Sequence, residues 1–424
     1  MTSVLYYISV FFLKAGVYLS ALFSGKSRRL IAGQWNVFRR IKSFARHHRA
    51  DVPCFWFHCA SLGEFEQGRP VMEALKQAYP AAQIVLTFFS PSGYEVRYNY
   101  AGADLVSYLP LDGWRNARRF VRLIQPTVAF FVKYEYWYGY ISALHQRKIP
   151  ALSVSTLLLP DKIPFRWYGG WYRRMLRRMN HFFVQDTTTA ELLREINIHQ
   201  ITQVGDTRFD RAAALCREAE PVALAAAFAQ DETVFVVGSN WPPDTDVLLP
   251  LLQEFAAEIK FIIAPHEIDE VELARIEAAL PGQTVRYSRA QPETVASYRV
   301  LLIDNVGMLT SLYRYGSFAY VGGAFGKSLH NVLEPATFGM PIYFGNRRYR
   351  HVGEASTLVE RGGAFPVANY QELRRHFLGH YRHEEQQQSV AELTRRFVVN
   401  HTGATDKIIQ YVETMRVNNE LWKV

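Results

Sequence analysis

The chain has 424 residues, of which 49% are hydrophobic and 21% charged, with a formal net charge of +9. At about 100–200 residues per domain this length holds two or three domains, and the composition excludes a disordered chain while leaving apolar side chains enough for two cores. The basic balance favours anionic partners (nucleic acid, acidic lipid, a phosphorylated substrate), although a basic soluble enzyme satisfies it too. The three cysteines, Cys54, Cys59 and Cys216, are too few and odd in number for a disulfide framework, which fits a reducing compartment.

Val4 to Phe23 is nearly all apolar and just long enough to cross a bilayer. Lys14 in its middle costs about 2.5–3.5 kcal/mol on insertion scales, so the segment either lies in the interface or spans with the lysine snorkelling. A buried N-terminal helix is the alternative. No basic stretch precedes the apolar run and no small-x-small site follows it, which disfavours a cleaved signal peptide. Lys26, Arg28, Arg29, Arg39, Arg40 and Lys42 come next, and the positive-inside rule predicts that they hold the remaining chain in the cytoplasm.

Beyond residue 50 strands alternate with helices. CFWFH (54–58) reads as a strand, with Cys54, Trp56 and His58 on one face and Cys59 on the other, and 64–79 as the helix after it. Further strands are predicted at 83–89, 128–132, 151–156, 181–185 and 201–205. Arg211 to Asp231 reads as a helix plus linker. The alternation then restarts at 234–238, 260–264, 299–304, 318–323 and 341–345, and ends in helices near 385–399 and 403–417. The expectation is an α/β chain: a membrane anchor over 1–25, a Rossmann-like domain over 26–218, a linker over 219–231, and a second Rossmann-like domain over 232–424 whose last helix crosses back onto the first. Two such domains are expected to face each other across a cleft, so chemistry should sit in loops just after strands.

Four loops qualify. In HCASLGEFEQG (58–68), Glu64 at a helix start could take a proton from an attacking hydroxyl, or could merely complement the helix dipole. In FFVKYEYWYGY (130–140), Glu135 lies among aromatics where burial would alter its ionisation, or where it is simply hydrogen-bonded structure. In VGDTRFDRA (204–212), Arg208 could clamp a phosphate or carboxylate, or pair with Asp206 or Asp210. The fourth, YVGGAFGKSLHNVLEPATFGMPIYFG (320–345), runs from a strand through a glycine-rich loop to His330 and Asn331 opening a helix. Glu334 there could reach ribose hydroxyls, and Asn331 with Glu334 could also form a capping box.

Taken in order, HCASLGE (58–64), SPSG (90–93), YEYW (134–137), GDTRFD (205–210), APHE (264–267), DNVGML (304–309) and HNVLEPA (330–336) resemble the Kdo transferases of lipopolysaccharide assembly. These enzymes move the eight-carbon acid sugar Kdo from CMP-Kdo onto a lipid A precursor of the lipid IVA type. The resemblance implies the glycosyltransferase B architecture, inversion at the anomeric carbon and no cofactor or bound metal. It implies Glu64 as general base and Glu135 as transition-state support. It places Arg208, where the family usually has lysine, as the cation near the leaving phosphate or the Kdo carboxylate. It gives the CMP moiety to Pro265, His266, Val306, Gly307, Met308, Asn331, Val332, Leu333 and Glu334. The chain departs from the family at Lys133, where many members carry an acid, at His266, where arginine is common, and at Met308, which replaces an acid.

The partners implied are a CMP-sugar donor, an anionic glycolipid acceptor and the cytoplasmic face of a bacterial inner membrane. The segment 163–179 interleaves Trp and Tyr with Arg173, Arg174, Arg177 and Arg178, and is expected to dock on lipid or grip acceptor phosphates unless it is an ordinary surface helix. Two other readings remain: a transferase of the same architecture using another nucleotide sugar, and a basic non-catalytic binding protein. No RNA-recognition or helix-turn-helix signature points to nucleic acid. Asp244-Thr-Asp246 has the spacing of a metal-binding pair but follows two prolines and looks like a helix start.

Overall fold

Apolar runs with short polar breaks become central strands covered on both faces, and the chain forms two parallel sheets of this kind. The computed structural model describes residues 2–418, with side chains from residue 6. The first sheet has seven strands: β1 (Cys54–Cys59), β2 (Gln83–Phe88), β3 (Leu105–Tyr108), β4 (Val128–Val132), β5 (Ala151–Thr156), β6 (His181–Val184) and β7 (Ile201–Gln203). Their order is β3-β2-β1-β4-β5-β6-β7. The second has β8 (Val234–Asn240), β9 (Lys260–Pro265), β10 (Thr284–Arg286), β11 (Val300–Leu302), β12 (Phe318–Val321), β13 (Ile342–Gly345) and β14 (Ala364–Val367), in the order β10-β11-β9-β8-β12-β13-β14.

By contacts the chain divides into one unit that runs to Asp210 and resumes at Thr402, and another over Arg211–His401. The expected linker at 219–231 is instead part of the second unit. Ala225, Phe228 and Ala229 on the helix Ala223–Ala229 are buried in its core. The final helix, Ala404–Val417, buries Ile408, Val412 and Met415 in the core beside the helix Leu62–Ala78, within the first unit.

Each sheet reverses its strand order once. In the first, the reversal lies between β1 and β4. The helix after β1, Leu62–Ala78, packs Phe65, Val71 and Leu75 on one face, while the helix after β4, Tyr138–Gln146, packs Tyr140, Ile141 and Leu144 on the other. In the second, the reversal lies between β8 and β12, followed by the helices Pro242–Phe255 and Leu333–Phe338. Loops leaving to opposite faces open a crevice at the carboxyl ends, the usual ligand position in open α/β sheets. Three non-glycine residues with left-handed backbones lie at such ends: Lys133 (φ 67°), Ser155 (φ 50°) and Ser239 (φ 54°). Strain of this kind collects where loop geometry is functionally constrained.

The N-terminal helix is Thr2–Ser20, shorter than the apolar run. Among the described residues no single helix is long and apolar enough to cross a membrane; Tyr6–Ser20 and Gly25–Arg46 reach the length only as a pair bent by 119°. The helix is neither buried nor detached. Val10 is buried and Val17 packs on the first unit's core, whereas Phe11, Phe12, Leu19, Leu22 and Phe23 are exposed. The arginines of 163–179 are mostly engaged within the unit. Arg173 donates to the carbonyls of Pro164 and Arg166, Arg177 to that of Ile196, and Arg178 to the Ser142 hydroxyl, while Trp167 is left 91% exposed.

The returning C-terminal helix depends on one carboxylate. Asp210 accepts from the backbone N–H groups of Gly403 (2.5 Å) and Thr405 (2.7 Å) at its start. Hydrogen bonds to a charged group contribute about 1.5–3 kcal/mol. Asp210→Ala is therefore expected to lower unfolding free energy by about 1–3 kcal/mol and to make 404–417 protease-sensitive. An unchanged denaturant midpoint and cleavage pattern would count against this role.

Candidate functional site

In the first unit, the loop after β1 delivers Glu64 to the third position of the helix Leu62–Ala78. The residue is only 8% exposed. Its Oε2 accepts from the Ser61 backbone N–H (2.6 Å) and from the Ser61 hydroxyl (2.8 Å). Both bonds fall on one oxygen, Oε2. The dipole role considered from sequence is present as well, since an anion in the first helical turn is favourable.

The loop after β4 carries Glu135 beside it. Burial, and then the negative charge of Glu64, push the Glu135 carboxyl up to about 7. The same two carboxylates, after burial, raise the Tyr134 hydroxyl. The loop is tied at several points. The Tyr136 hydroxyl bonds to that of Ser153 at 2.6 Å, and Trp137 Nε1 donates to His58 Nε2 at 3.2 Å. His58 therefore carries its proton on Nδ1, 3.1 Å from the Thr87 hydroxyl, and burial holds the imidazole neutral down to about 3. This residue belongs to a hydrogen-bond chain, and Cys54 and Cys59 lie in cores on opposite sheet faces, so CFWFHC is a packed strand.

Arg208, at the start of the helix Thr207–Glu218, forms the pair with Asp206 considered from sequence: its Nη2 lies 2.7 Å from Asp206 Oδ2. The buried Asp206 also accepts from Gln67 Nε2 at 3.1 Å, and Thr207 donates to the Gln67 carbonyl. Gln67 lies one turn beyond Glu64, so this network fixes the helix bearing Glu64 against the segment bearing Arg208. Glu64, Glu135 and Arg208 are thus brought to the carboxyl edge of one sheet. Sequence reading missed Gln67 and Asp206 as the link, although the three-residue spacing from Glu64 marks Gln67 as a neighbour on the same helix face.

The second unit builds its site around the reversal between β8 and β12. Asp244 is fully buried, accepting from the Tyr320 hydroxyl (2.9 Å), Gly323 N–H (2.9 Å) and Trp241 N–H (3.1 Å). It clamps the two loops together at a helix start, as its position after two prolines suggested. Glycine is required at 322, where a Cβ would stand 2.2 Å from the Ser239 carbonyl oxygen. Over this junction Trp241 Nε1 donates to His330 Nε2 at 3.0 Å. The exposed His266 ring stacks on both, at 4.5 Å from Trp241 and 4.3 Å from His330. Burial, with the neighbouring His266, holds His330 neutral down to about 4. Trp241 was not singled out from sequence; only the structure joins it to a histidine 89 positions away.

Pro265 ends β9, and Val306 and Gly307 lie on the exposed loop after β11, with Met308 at the start of the short helix Leu309–Tyr313. Thr310 donates to Glu334 Oε2 (2.7 Å), and Asn331 Nδ2 to Glu334 Oε1 (2.8 Å), which joins that loop to the one after β12. The helix begins at Leu333, not at His330-Asn331, and Asn331 and Glu334 do not form the expected reciprocal box: Asn331 Oδ1 accepts from Leu333 N–H and its amide binds Glu334. Val332 and Leu333 are buried, so their backbone rather than their side chains would meet a ligand.

Comparison with known proteins adds a family. Residues 36–211 match the family model described as 3-deoxy-D-manno-octulosonic-acid transferase (kdotransferase). The chain is 26% identical over 318 residues to the 3-deoxy-D-manno-octulosonic acid transferase of Chlamydophila psittaci, covering 73% of this chain and 72% of that one. It is 26% identical over 325 residues to the enzyme so named from Aquifex aeolicus, covering 75% and 83%. Among solved structures, UDP-GlcNAc 2-epimerase from Neisseria meningitidis superposes with a TM-score of 0.59 at 13% identity, covering 85% of this chain and 100% of that one. Acinetobacter baumannii MurG gives 0.52 at 13%, covering 86% and 100%. These likenesses show a shared two-domain α/β fold.

The carboxylate pair makes a testable statement. Glu135 should titrate near 7, and Glu64→Gln, by removing the nearby charge, should lower that value, as read by NMR of side-chain-labelled glutamate. Because folding raises the proton affinity of Glu135, this group favours the folded state below the ordinary carboxylate range and loses that contribution as pH climbs to about 7. An unshifted Glu135 titration in Glu64→Gln would show that the two carboxylates do not interact.

Proposed function

Starting from the Kdo transferase family, to which this chain belongs, we propose that it transfers Kdo from CMP-Kdo to a phosphorylated lipid A precursor, with inversion and without a bound metal. The observation that carries this reading is Glu64: a shielded carboxylate, fixed by Ser61 through one oxygen, at a strand-order reversal. An acceptor hydroxyl placed at Oε1 gives up its proton to Glu64 as its oxygen bonds to the anomeric carbon of Kdo. The bond from that carbon to the phosphate oxygen breaks, and CMP leaves with the electron pair. General-base assistance of this kind contributes about 10²- to 10⁴-fold.

Glu135 suits a supporting part. With its carboxyl pushed up to about 7 it is present in both protonation states near neutrality, so it can donate a hydrogen bond where negative charge gathers. Arg208 would offset charge on the leaving phosphate or the Kdo carboxylate, its guanidinium oriented by Asp206. On the donor side, His266 with Pro265 presents a flat ring for the cytosine. Backbone at Val306, Gly307, Met308, Val332 and Leu333 and the side chains of Asn331 and Glu334 would hold ribose and phosphate.

Membrane attachment rests on two features. The N-terminal helix exposes an apolar face, and residues 1–50 contain no acid. Arg39, Lys42 and Arg46 on the helix Val37–Arg46, and Arg115, Arg118 and Arg122 on the adjoining Trp114–Ile124, have no carboxylate partner among the described residues. An apolar strip beside unneutralised cations suits the headgroup region of an anionic leaflet, with the helix lying in the interface on the cytoplasmic side.

Incubation of the purified chain with CMP-Kdo and a lipid A precursor should give a mass increase of one Kdo or more, with the new linkage of opposite anomeric configuration by NMR. CMP should inhibit and UDP should not. Inhibition by UDP alone would favour a different nucleotide sugar, and no product under conditions that support a known Kdo transferase would overturn the proposal.

A further inference from the structure

The N-terminal helix does more than present an apolar face. Tyr6 turns inward, and its hydroxyl donates to Asp112 Oδ2 at 2.6 Å while accepting from the Tyr138 backbone N–H at 3.3 Å. Its ring lies 5.3 Å from that of Tyr138 and 5.5 Å from Trp171. Asp112, 2% exposed, also accepts from the N–H groups of Gly139 (3.0 Å) and Gly113 (2.8 Å). The fit at Gly139 is close, since a Cβ there would stand 2.1 Å from Asp112 Oδ1.

Tyr138 and Gly139 are the first two residues of the helix Tyr138–Gln146, whose own capping residue, Trp137, makes no side-chain cap. Open N–H groups at a helix start need partners. Here they come from far along the chain: Tyr6 is 132 positions from Tyr138 and Asp112 is 27 from Gly139. The loop that ends at this helix carries Glu135. Its other ties, Lys133 N–H to the Val154 carbonyl, Tyr136 to Ser153 and Trp137 to His58, all come from neighbouring strands of the sheet. The tie at its far end is the one that comes from the N-terminal helix.

We propose that Tyr6 is a positioning residue for the transfer reaction: the N-terminal helix completes the cap that sets the loop of Glu135, so that seating of this helix and the geometry of that loop are coupled. The inference rests on the supporting role given to Glu135 above. It makes the apolar segment part of the site's scaffold as well as a lipid contact.

The test compares the full-length wild type with Tyr6→Phe and Glu135→Gln in detergent micelles, using CMP-Kdo and a lipid A precursor. Tyr6→Phe keeps the ring contacts and removes only the hydroxyl. It should lower kcat by about five- to tenfold with acceptor KM within about twofold, the scale of one lost hydrogen bond at a positioned loop. A looser loop admits water to Glu135, so the pH limb of kcat near 7 should move to lower pH, and vesicle partitioning should stay at the wild-type level. Wild-type kcat and an unmoved limb in Tyr6→Phe, with Glu135→Gln impaired, would overturn the coupling and leave the role of Glu135 intact. Full activity and an unmoved limb in Glu135→Gln would remove that role, and the coupling with it.

Discussion

The two hydrogen bonds from Ser61 to one oxygen of Glu64 are the constraint on which the site depends. An almost buried polar side chain is costly unless it is hydrogen-bonded, and here a backbone N–H and a hydroxyl meet it at a helix start. Fixing Oε2 defines where Oε1 points. It also places a negative charge beside Glu135, which together with burial raises that residue toward neutrality. Burial and that neighbouring charge thus set the protonation behaviour of Glu135 from its surroundings alone.

The rest of the first unit braces this pair. His58 on β1 holds the loop after β4 through Trp137, and Gln67 on the helix of Glu64 holds Asp206 and, through it, Arg208. Tyr6 reaches the same loop from its other end. In the second unit Asp244 takes the corresponding part, drawing the loops after β8 and β12 together under Trp241, His266 and His330. Of the two carboxylates with the spacing of a metal-binding pair, Asp244 belongs to this clamp, both its oxygens engaged by donors of the fold, and Asp246 pairs with Arg275.

Much of this was legible in the sequence because alternation of buried strands and helices is a strong signal. The strands predicted before residue 346 all form. Those that escaped notice, β3, β10 and β14, are edge strands of three or four residues, too short to show a period. The positions of Glu64 and Glu135 just after strands were legible from the same alternation. Their supports were not. Gln67 and Asp206 are 139 positions apart, and Trp241 and His330 are 89 apart, so these contacts arise only when the sheets assemble. The carbonyls that the arginines of 163–179 brace were out of reach of sequence reading for a related reason, since they too come into place only in the folded unit.

The most direct measurement is the single-turnover rate of Kdo transfer by Glu64→Gln at saturating donor and acceptor, with CMP-Kdo affinity determined on the same sample. Glutamine keeps the shape and the bonds to Ser61 while losing the ability to take a proton. The account predicts a rate lower by about 10²-fold or more with donor affinity within about twofold of wild type. A rate equal to wild type, or a loss confined to donor affinity, would contradict it.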